Sequence, residues 1–246
     1  MQNGTMEHAH SKERVLMEIK IQHRLEGARY AQGLTVIIDV FRAFTLEAYM
    51  YAQGAARTIP VGTVEDAFAL KQAHPEYILC GERHGKKVEG FDLGNSPSEL
   101  LRHDVRGKTI IHTTSAGVQG LVNAAGADEI VTGALVNAAA TARYIQKVKP
   151  EKVSLVAMGL EAVKDTEEDV LCAEYIRSIL EGKPLADIQE RALNLRYQEG
   201  KKFFDPLQKD VFPEEDFWLA IKVDTMDFAI KVKKENGQFT TERTDV

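Results

Sequence analysis

The chain has 246 residues, 44% of them hydrophobic and 28% charged, which is enough for one large domain or two small ones. It carries 31 Lys and Arg against 37 Asp and Glu, and this net charge of −6 argues against a general nucleic-acid-binding protein. The apolar runs are far shorter than the ~20 residues of a membrane span, and Met1–Lys12 lacks the apolar stretch of a signal peptide. With two cysteines, Cys80 and Cys172, we expect reduced thiols in a cytoplasmic protein without a membrane partner.

Short β-branched runs alternate with helical patterns from about residue 19 to about residue 182. The predicted strands are Met17–Ile21, Thr35–Val40, Arg57–Val61, Tyr77–Cys80, Thr109–His112, Glu129–Thr132 and Val153–Met158. The predicted helices are Arg42–Gln53, Val64–Ala73, a short one capped by Ser96, one ending near Ala125, Asn137–Lys147 and Glu168–Leu180. This alternation predicts an α/β fold of three layers, α/β/α, with a largely parallel sheet.

Two stretches of this pattern share the same order of elements, and the end of the chain differs from both. Residues 36–67 and 110–139 each give strand, helix, strand and helix, which indicates an internal duplication of a βαβα unit, although such units also resemble one another by composition. We predict a catalytic core over residues 1–185 and a C-terminal segment, 186–246, packed on that core. The segment comprises a helix over Ala186–Gln198, a loop over Lys201–Phe217 and a hairpin around Glu235-Asn236-Gly237.

Polar residues cluster where predicted strands end, which is where ligands bind in open α/β sheets. Asp39 ends an apolar strand, so its carboxylate needs a cation or hydrogen bonds, or else it caps the next helix. Arg42 either pairs with Asp39 or faces an anion. Glu82 and Arg83 belong to a long, charged and glycine-rich loop, Gly81–Asn95, of a kind that is more often a functional site than a linker.

Three further groups of polar residues occupy similar places. Asp92 is either held between its apolar neighbours or forms a turn. Glu168 and Asp169 begin a helix, where Asp169 is either a second metal ligand or part of a cap with Thr166. Thr113, Thr114 and Ser115 form a strand-to-helix turn with three hydroxyl groups. Such a turn can cap its helix and can also hold phosphate. This inventory suits Mg²⁺ together with a small phosphorylated ligand.

Six stretches, taken in their order and spacing, carry a family resemblance over residues 35–180. They are Ile38–Ala43, Gly81–Arg83, Gly90–Pro97, Thr113-Thr114 with Gly117, Asn137-Ala138, and Glu168-Asp169 with Cys172-Ala173. Together they resemble the 2-phosphosulfolactate phosphatase family, and the octapeptide Gly90–Pro97 is the most specific of them. The chain is therefore identified as a member of this family.

The resemblance implies an Mg²⁺-dependent phosphate monoester hydrolase. The implied reaction converts 2-phospho-3-sulfolactate and water into 3-sulfolactate and phosphate, a step of coenzyme M biosynthesis, with water or Asp39 itself as the nucleophile. The implied catalytic residues are Asp39, Arg42 and Asp92, and the implied metal ligands are Asp39, Glu82 and Asp169. The implied substrate-binding residues are Arg83, Asn95, Ser96, Thr113, Thr114 and Ser115. The partner is a small anionic substrate, and a homo-oligomer is left open.

Four departures from the family pattern affect the expected pocket. They are Phe44 after the Asp-x-x-Arg-Ala motif, His84 in place of a glycine, Ser115-Ala116-Gly117 in place of an Asn-Gly pair, and the segment Leu160–Glu167. They leave two alternatives, namely a phosphatase for a different small phosphorylated acid, or a catalytically altered homologue that binds a small anionic metabolite.

Overall fold

The structure, a computed structural model, describes residues 17–246, so the predicted absence of a signal peptide at Met1–Lys12 lies outside the described residues. Within this range the strands are β1 (Glu18–His23), β2 (Gly33–Ile38), β3 (Arg57–Pro60), β4 (Ile78–Arg83), β5 (Lys86–Lys87), β6 (Thr109–Thr113), β7 (Ala127–Gly133), β8 (Lys152–Ala157), β9 (Phe228–Glu235) and β10 (Gln238–Asp245). The α-helices are α1 (Arg24–Tyr30), α2 (Ala43–Ala52), α3 (Val64–Ala73), α4 (Pro97–Leu100), α5 (Gly117–Asn123), α6 (Ala138–Val148), α7 (Glu167–Leu180), α8 (Ile188–Asn194) and α9 (Glu214–Ala220). Short 3₁₀ segments cover Leu135–Asn137, Leu195–Tyr197 and Glu199–Phe204. None of the helices in residues 17–246 has the length and apolar character needed to cross a membrane.

One mixed, mostly parallel sheet contains all ten strands of the described residues, in the order β1-β8-β2-β7-β9-β10-β3-β6-β4-β5. One parallel block consists of the neighbouring strands β1, β8, β2 and β7. A second parallel block consists of β3, β6 and β4. The antiparallel hairpin β9–β10 joins the two blocks. The predicted α/β class and largely parallel sheet are confirmed.

The hairpin at the end of the chain is present, but its position differs from the expectation. Asn236 and Gly237 both have positive φ, 51° and 80°, as a two-residue type I′ turn requires, and Glu235 pairs with Gln238. The sequence placed the C-terminal segment on the outside of the core, whereas the hairpin supplies two strands in the middle of the sheet. The cause is visible in β9, where consecutive residues from Phe228 to Ile230 are buried, as in a strand covered on both faces. The division of the chain at residue 185 stays a prediction.

The two repeated units have the same order of elements, and each gives its strands to both blocks. The first unit is β2-α2-β3-α3 and the second is β6-α5-β7-α6. Strand β2 of the first unit pairs with β7 of the second, while β3 pairs with β6. The units are therefore interleaved in the sheet, and an origin by duplication stays a prediction.

Three local predictions need correction. Helix α1 was not predicted, because its seven residues include Gly27 and show little periodicity. The predicted strand ending at Cys80 continues to Arg83, so the long loop begins later than expected. The predicted loop over Lys201–Phe217 contains the end of a 3₁₀ segment and the start of α9, which buries Phe217 in the core.

Helix α2 lies at the centre of the molecule and is buried along almost its whole length. Its Glu47 carboxylate accepts 2.7 Å hydrogen bonds from three hydroxyl groups, those of Thr58, Thr132 and Thr241. These threonines belong to β3, β7 and β10, so one side chain connects both parallel blocks to the hairpin. Burial raises the pKa of Glu47, and the three hydroxyl groups act against that rise.

We expect Glu47→Ala to lower the free energy of unfolding by about 2–4 kcal/mol, because it leaves three buried hydroxyl groups without their shared acceptor and creates a cavity. Glu47→Gln keeps an acceptor oxygen and is expected to cost less. Urea denaturation of both variants measures this, with the exposed Glu151→Ala as the matched control. A loss for Glu47→Ala no larger than that of the control would contradict the role assigned to this side chain.

Candidate active site

Asp39 follows β2 directly and connects the beginnings of two helices. Its Oδ1 accepts the Ala43 N–H at 3.1 Å, and its Oδ2 accepts the Gly117 N–H at 2.9 Å. A Cβ atom at position 117 would lie 2.9 Å from Oδ2, so this approach requires glycine. The carboxylate therefore caps α2, as one alternative predicted, and it also lines a small cavity. Burial raises the pKa of Asp39 to about 6, and repulsion from Glu82 adds to the effect.

Glu82, on β4, holds the turn that follows β6. Its Oε1 accepts the Ser115 N–H at 2.6 Å, and its Oε2 accepts the Gly85 N–H at 2.7 Å. The Ser115 hydroxyl donates a further bond of 3.2 Å to Oε2. The ends of β4 and β6 are thereby fixed to each other at the cavity.

Asp169, in the first turn of α7, connects that helix to the ends of two strands. Its Oδ1 accepts the Val40 N–H at 2.7 Å, and its Oδ2 accepts the Gly159 N–H at 2.8 Å. The alternative of a cap formed with Thr166 is wrong, because the Thr166 side chain makes no capping hydrogen bond. Burial raises the pKa of Asp169, and repulsion from Glu168 and Asp39 raises it further.

Half of the residues that line the cavity between these elements have ionisable side chains. Its five carboxylates belong to Asp39, Glu82, Glu161, Glu168 and Asp169, and its permanent cations to Arg42 and Lys202. His84 lies at the exposed edge, where its Nδ1 is 2.7 Å from Glu161 Oε1. Acidic groups therefore outnumber cations on the cavity wall.

Arg42 has a different partner from either one predicted. Its guanidinium forms a buried ion pair with Asp216 at 2.9 Å and donates to the carbonyls of Val211 and Gly85 at 2.8 and 3.0 Å. Asp216 in turn accepts the Ser96 hydroxyl at 2.8 Å. Several Arg42 donors are thus used to hold α9 and the Ser96 turn together, although its side chain still borders the cavity.

Asp92 lies away from the cavity. It accepts the Leu79 N–H at 2.8 Å near the start of β4, while Glu82 lies towards the other end of that strand. It is half exposed, and Lys71 is 3.4 Å away. Asp92 was predicted to be catalytic, but the structure does not bring it to the other site residues, because Leu93 bridges back to Cys80 and turns the loop along β4.

Of the six predicted substrate-binding residues, two line the cavity, Asn95 and Ser115. The buried Oδ1 of Asn95 has no hydrogen-bond partner among the described residues. The other four are not on the cavity wall and form hydrogen bonds with neighbouring elements. Arg83 donates to the Thr113 hydroxyl at 2.8 Å, the Thr114 hydroxyl accepts the Val118 N–H, and Ser96 caps α4.

Five of the residues that depart from the family pattern line the cavity, namely His84, Ser115, Ala116, Leu160 and Glu161. Phe44 does not, and it packs in the core with about 1% of its surface exposed. The expectation that it faces the pocket is therefore wrong, because α2 turns its side chain towards the interior.

The oxygen atoms of the cavity suit a hard divalent cation, but the predicted set of three ligands is not gathered together. In residues 17–246, no three His, Cys, Asp or Glu side chains form a group that could hold a metal ion. Two buried oxygens at the cavity, Glu168 Oε2 and Asn95 Oδ1, nevertheless have no partner. Because Mg²⁺ is commonly held by one or two carboxylates plus water and phosphate oxygens, these residues fit it.

Fold and cavity together define the class, an α/β protein with a small charged cavity at the ends of its strands. Sequence comparison then gives the family. A profile of the family described as 2-phosphosulpholactate phosphatase matches residues 19–234, and the chain belongs to this family. The predicted identification and its phosphatase class are thereby confirmed.

Several curated relatives carry the name probable 2-phosphosulfolactate phosphatase. The protein from Bacillus subtilis (strain 168) is 33% identical over 211 residues, which cover 85% of this chain and 91% of the relative. The protein from Caldanaerobacter subterraneus is 40% identical over 161 residues, 65% of each chain. The protein from Carboxydothermus hydrogenoformans is 38% identical over 177 residues, covering 72% of this chain and 73% of the relative.

The ionisation of Glu168 gives a prediction for stability. Burial raises the pKa of Glu168 to about 7, and the nearby Lys202 acts against that rise. Because the folded state binds this proton more tightly than the unfolded state, the group's contribution to stability falls as the pH rises from about 4.5 through 7. Glu168→Gln stays neutral and avoids this loss. In a buffer with a chelator, we expect it to gain up to about 3 kcal/mol relative to the natural chain by pH 8, and little at pH 4.5.

Thermal unfolding of the natural chain and Glu168→Gln across this pH range measures the difference. Glu167→Gln is the matched control, because Glu167 is adjacent and exposed. A difference between Glu168→Gln and the natural chain that does not change with pH would show that Glu168 ionises normally.

Proposed function

We propose that the chain hydrolyses 2-phospho-3-sulfolactate to 3-sulfolactate and inorganic phosphate. Family membership and the names of the relatives support this activity. The observation that carries the proposal is the position of Asp39, which two backbone amides orient beside a small cavity lined by charged groups. The small size of the cavity suits a small substrate, and Arg42 and Lys202 are the permanent cations on its wall.

In this proposal Asp39 is the general base. A base works best when its pKa is close to the working pH, and burial has moved the pKa of Asp39 towards that range. The hydrogen bonds from Ala43 and Gly117 fix its orientation, so it can accept a proton from water at a defined place. Glu82 positions Ser115, which borders the same cavity.

We also propose Mg²⁺ as the cofactor. The carboxylate of Glu82, that of Asp169, or both would hold it, with Glu168 Oε2 as a further oxygen close by, so that Asp39 stays free to accept the proton. The bound ion would neutralise charge on the phosphate. The excess of carboxylates over cations on the cavity wall supports the proposal, because a phosphate dianion would otherwise meet a negative surface. A place in coenzyme M biosynthesis, a cytoplasmic location and a homo-oligomer stay predictions.

Replacing Asp39 tests the site. We expect Asp39→Asn to lower kcat by at least about 10²–10⁴-fold, because the amide cannot accept the proton. The matched control is Asp92→Asn, which changes an aspartate outside the cavity and is expected to retain near-normal turnover. Phosphate release from phosphosulfolactate measures both, with unfolding curves to show that the variants fold. Near-normal turnover by Asp39→Asn would mean that the site is wrongly placed.

Removing the metal tests the cofactor separately. We expect EDTA to abolish hydrolysis of both phosphosulfolactate and p-nitrophenyl phosphate, and added Mg²⁺ to restore it. Full turnover in EDTA would show that Mg²⁺ is not required, while the proposed phosphatase activity would still hold. No turnover in either state, with thermal stabilisation by phosphosulfolactate, would instead support a protein that binds the ligand without hydrolysing it.

A further inference from the structure

Lys202 reaches the cavity from the C-terminal part of the chain, and three phenylalanine rings surround its ammonium group. Its Nζ is 5.2, 5.6 and 5.8 Å from the ring centroids of Phe212, Phe203 and Phe41. These separations are within the range of cation–π contacts. The rings also pack on one another, with centroids 5.1 Å apart for Phe41 and Phe203 and 5.7 Å apart for Phe203 and Phe212. The aromatic cluster therefore holds the side chain in one place.

No oxygen atom of the described residues satisfies this ammonium group. Among residues 17–246, the Lys202 Nζ forms no side-chain hydrogen bond, and no carboxylate oxygen lies within 4.0 Å of it. The nearby carboxylates of Glu168, Glu199 and Asp39 act on it only through longer-range attraction. An ammonium group has three N–H donors, and the phenylalanine rings cannot accept them as oxygen does. The three donors are thus available to a ligand in the cavity that Lys202 lines.

The two arginines predicted to bind anions are engaged elsewhere. Arg42 is paired with Asp216, and Arg83 donates to Thr113 outside the cavity. Lys202 is therefore the cation on the described cavity wall whose donors are all uncommitted. We propose that Lys202 binds the phosphoryl oxygens of the substrate, so that the Phe41, Phe203 and Phe212 rings and the free donors of Lys202 form the phosphate-binding part of the site. This inference rests on the proposed function.

The position of Phe41 explains how this group is set relative to Asp39. Phe41 follows Asp39 by two residues, and its ring packs against Phe203 beside Lys202. The turn that carries the proposed base thus also forms part of the wall that holds the cation. A phosphate bound by Lys202 would lie in the cavity that Asp39 lines.

The test uses the full chain, with Lys202→Met as the principal variant, because methionine has a similar length and fits an aromatic cluster. Lys202→Arg restores the charge, and Lys201→Met is the matched control, since Lys201 is exposed. Binding of inorganic phosphate is measured by titration calorimetry, and KM and kcat for phosphosulfolactate are measured in parallel. Unfolding curves identify variants that do not fold, in which case Lys202→Gln replaces Lys202→Met.

We expect Lys202→Met to weaken phosphate binding at least tenfold and to lower kcat/KM by about 10²-fold or more, through both KM and kcat. Lys202→Arg should recover part of each, and Lys201→Met should match the natural chain. Phosphate binding by Lys202→Met equal to that of the control would overturn the inference. If the natural chain does not hydrolyse phosphosulfolactate but binds phosphate through Lys202, the proposed function fails while the anion site stands.

Discussion

The buried carboxylate of Glu47 connects the three parts of the sheet to helix α2. The two parallel blocks do not pair directly, because the hairpin β9–β10 lies between them. The ladder between β10 and β3 consists of one residue pair, Thr241 and Thr58. Glu47 joins these two hydroxyl groups to that of Thr132 on the other block. Since a buried carboxylate without partners is unfavourable, an arrangement that separated any of these three strands from α2 would leave Glu47 with fewer hydrogen bonds.

The candidate site repeats the same physical principle. Asp39, Glu82 and Asp169 each accept backbone N–H groups from elements distant in the chain, so each one fixes two loops relative to each other. The carboxylates are then close enough to repel one another, and burial with this repulsion raises the pKa of both Asp39 and Asp169. The interactions that fix the loops therefore also create a place where added positive charge is favourable.

Position along the chain was sufficient to predict some of the site and not the rest. Asp39 and Glu82 were found because residues at strand ends meet at one edge of a sheet, which is local information. The same reasoning placed Asp92 in the site, but its loop runs back along β4 after leaving the strand end and carries Asp92 away from the cavity. The partner of Arg42 lies 174 residues away, and Lys202 comes from a segment predicted as loop. The fold class followed from the alternation of elements, but the place of the hairpin depended on long-range pairing that no local pattern contains.

The C-terminal segment consequently belongs to the site as much as to the sheet. It supplies Asp216, which neutralises Arg42, and Lys202 with two of its three phenylalanine neighbours. Once Arg42 is neutralised, the described cavity wall carries five carboxylates against the single remaining cation, Lys202. A phosphate dianion would add to the negative charge, so binding it requires either protonated carboxylates or an additional cation. The raised pKa values of Glu168 and Asp169 allow part of this charge to be removed by protonation, and a divalent metal such as the proposed Mg²⁺ would supply the additional cation.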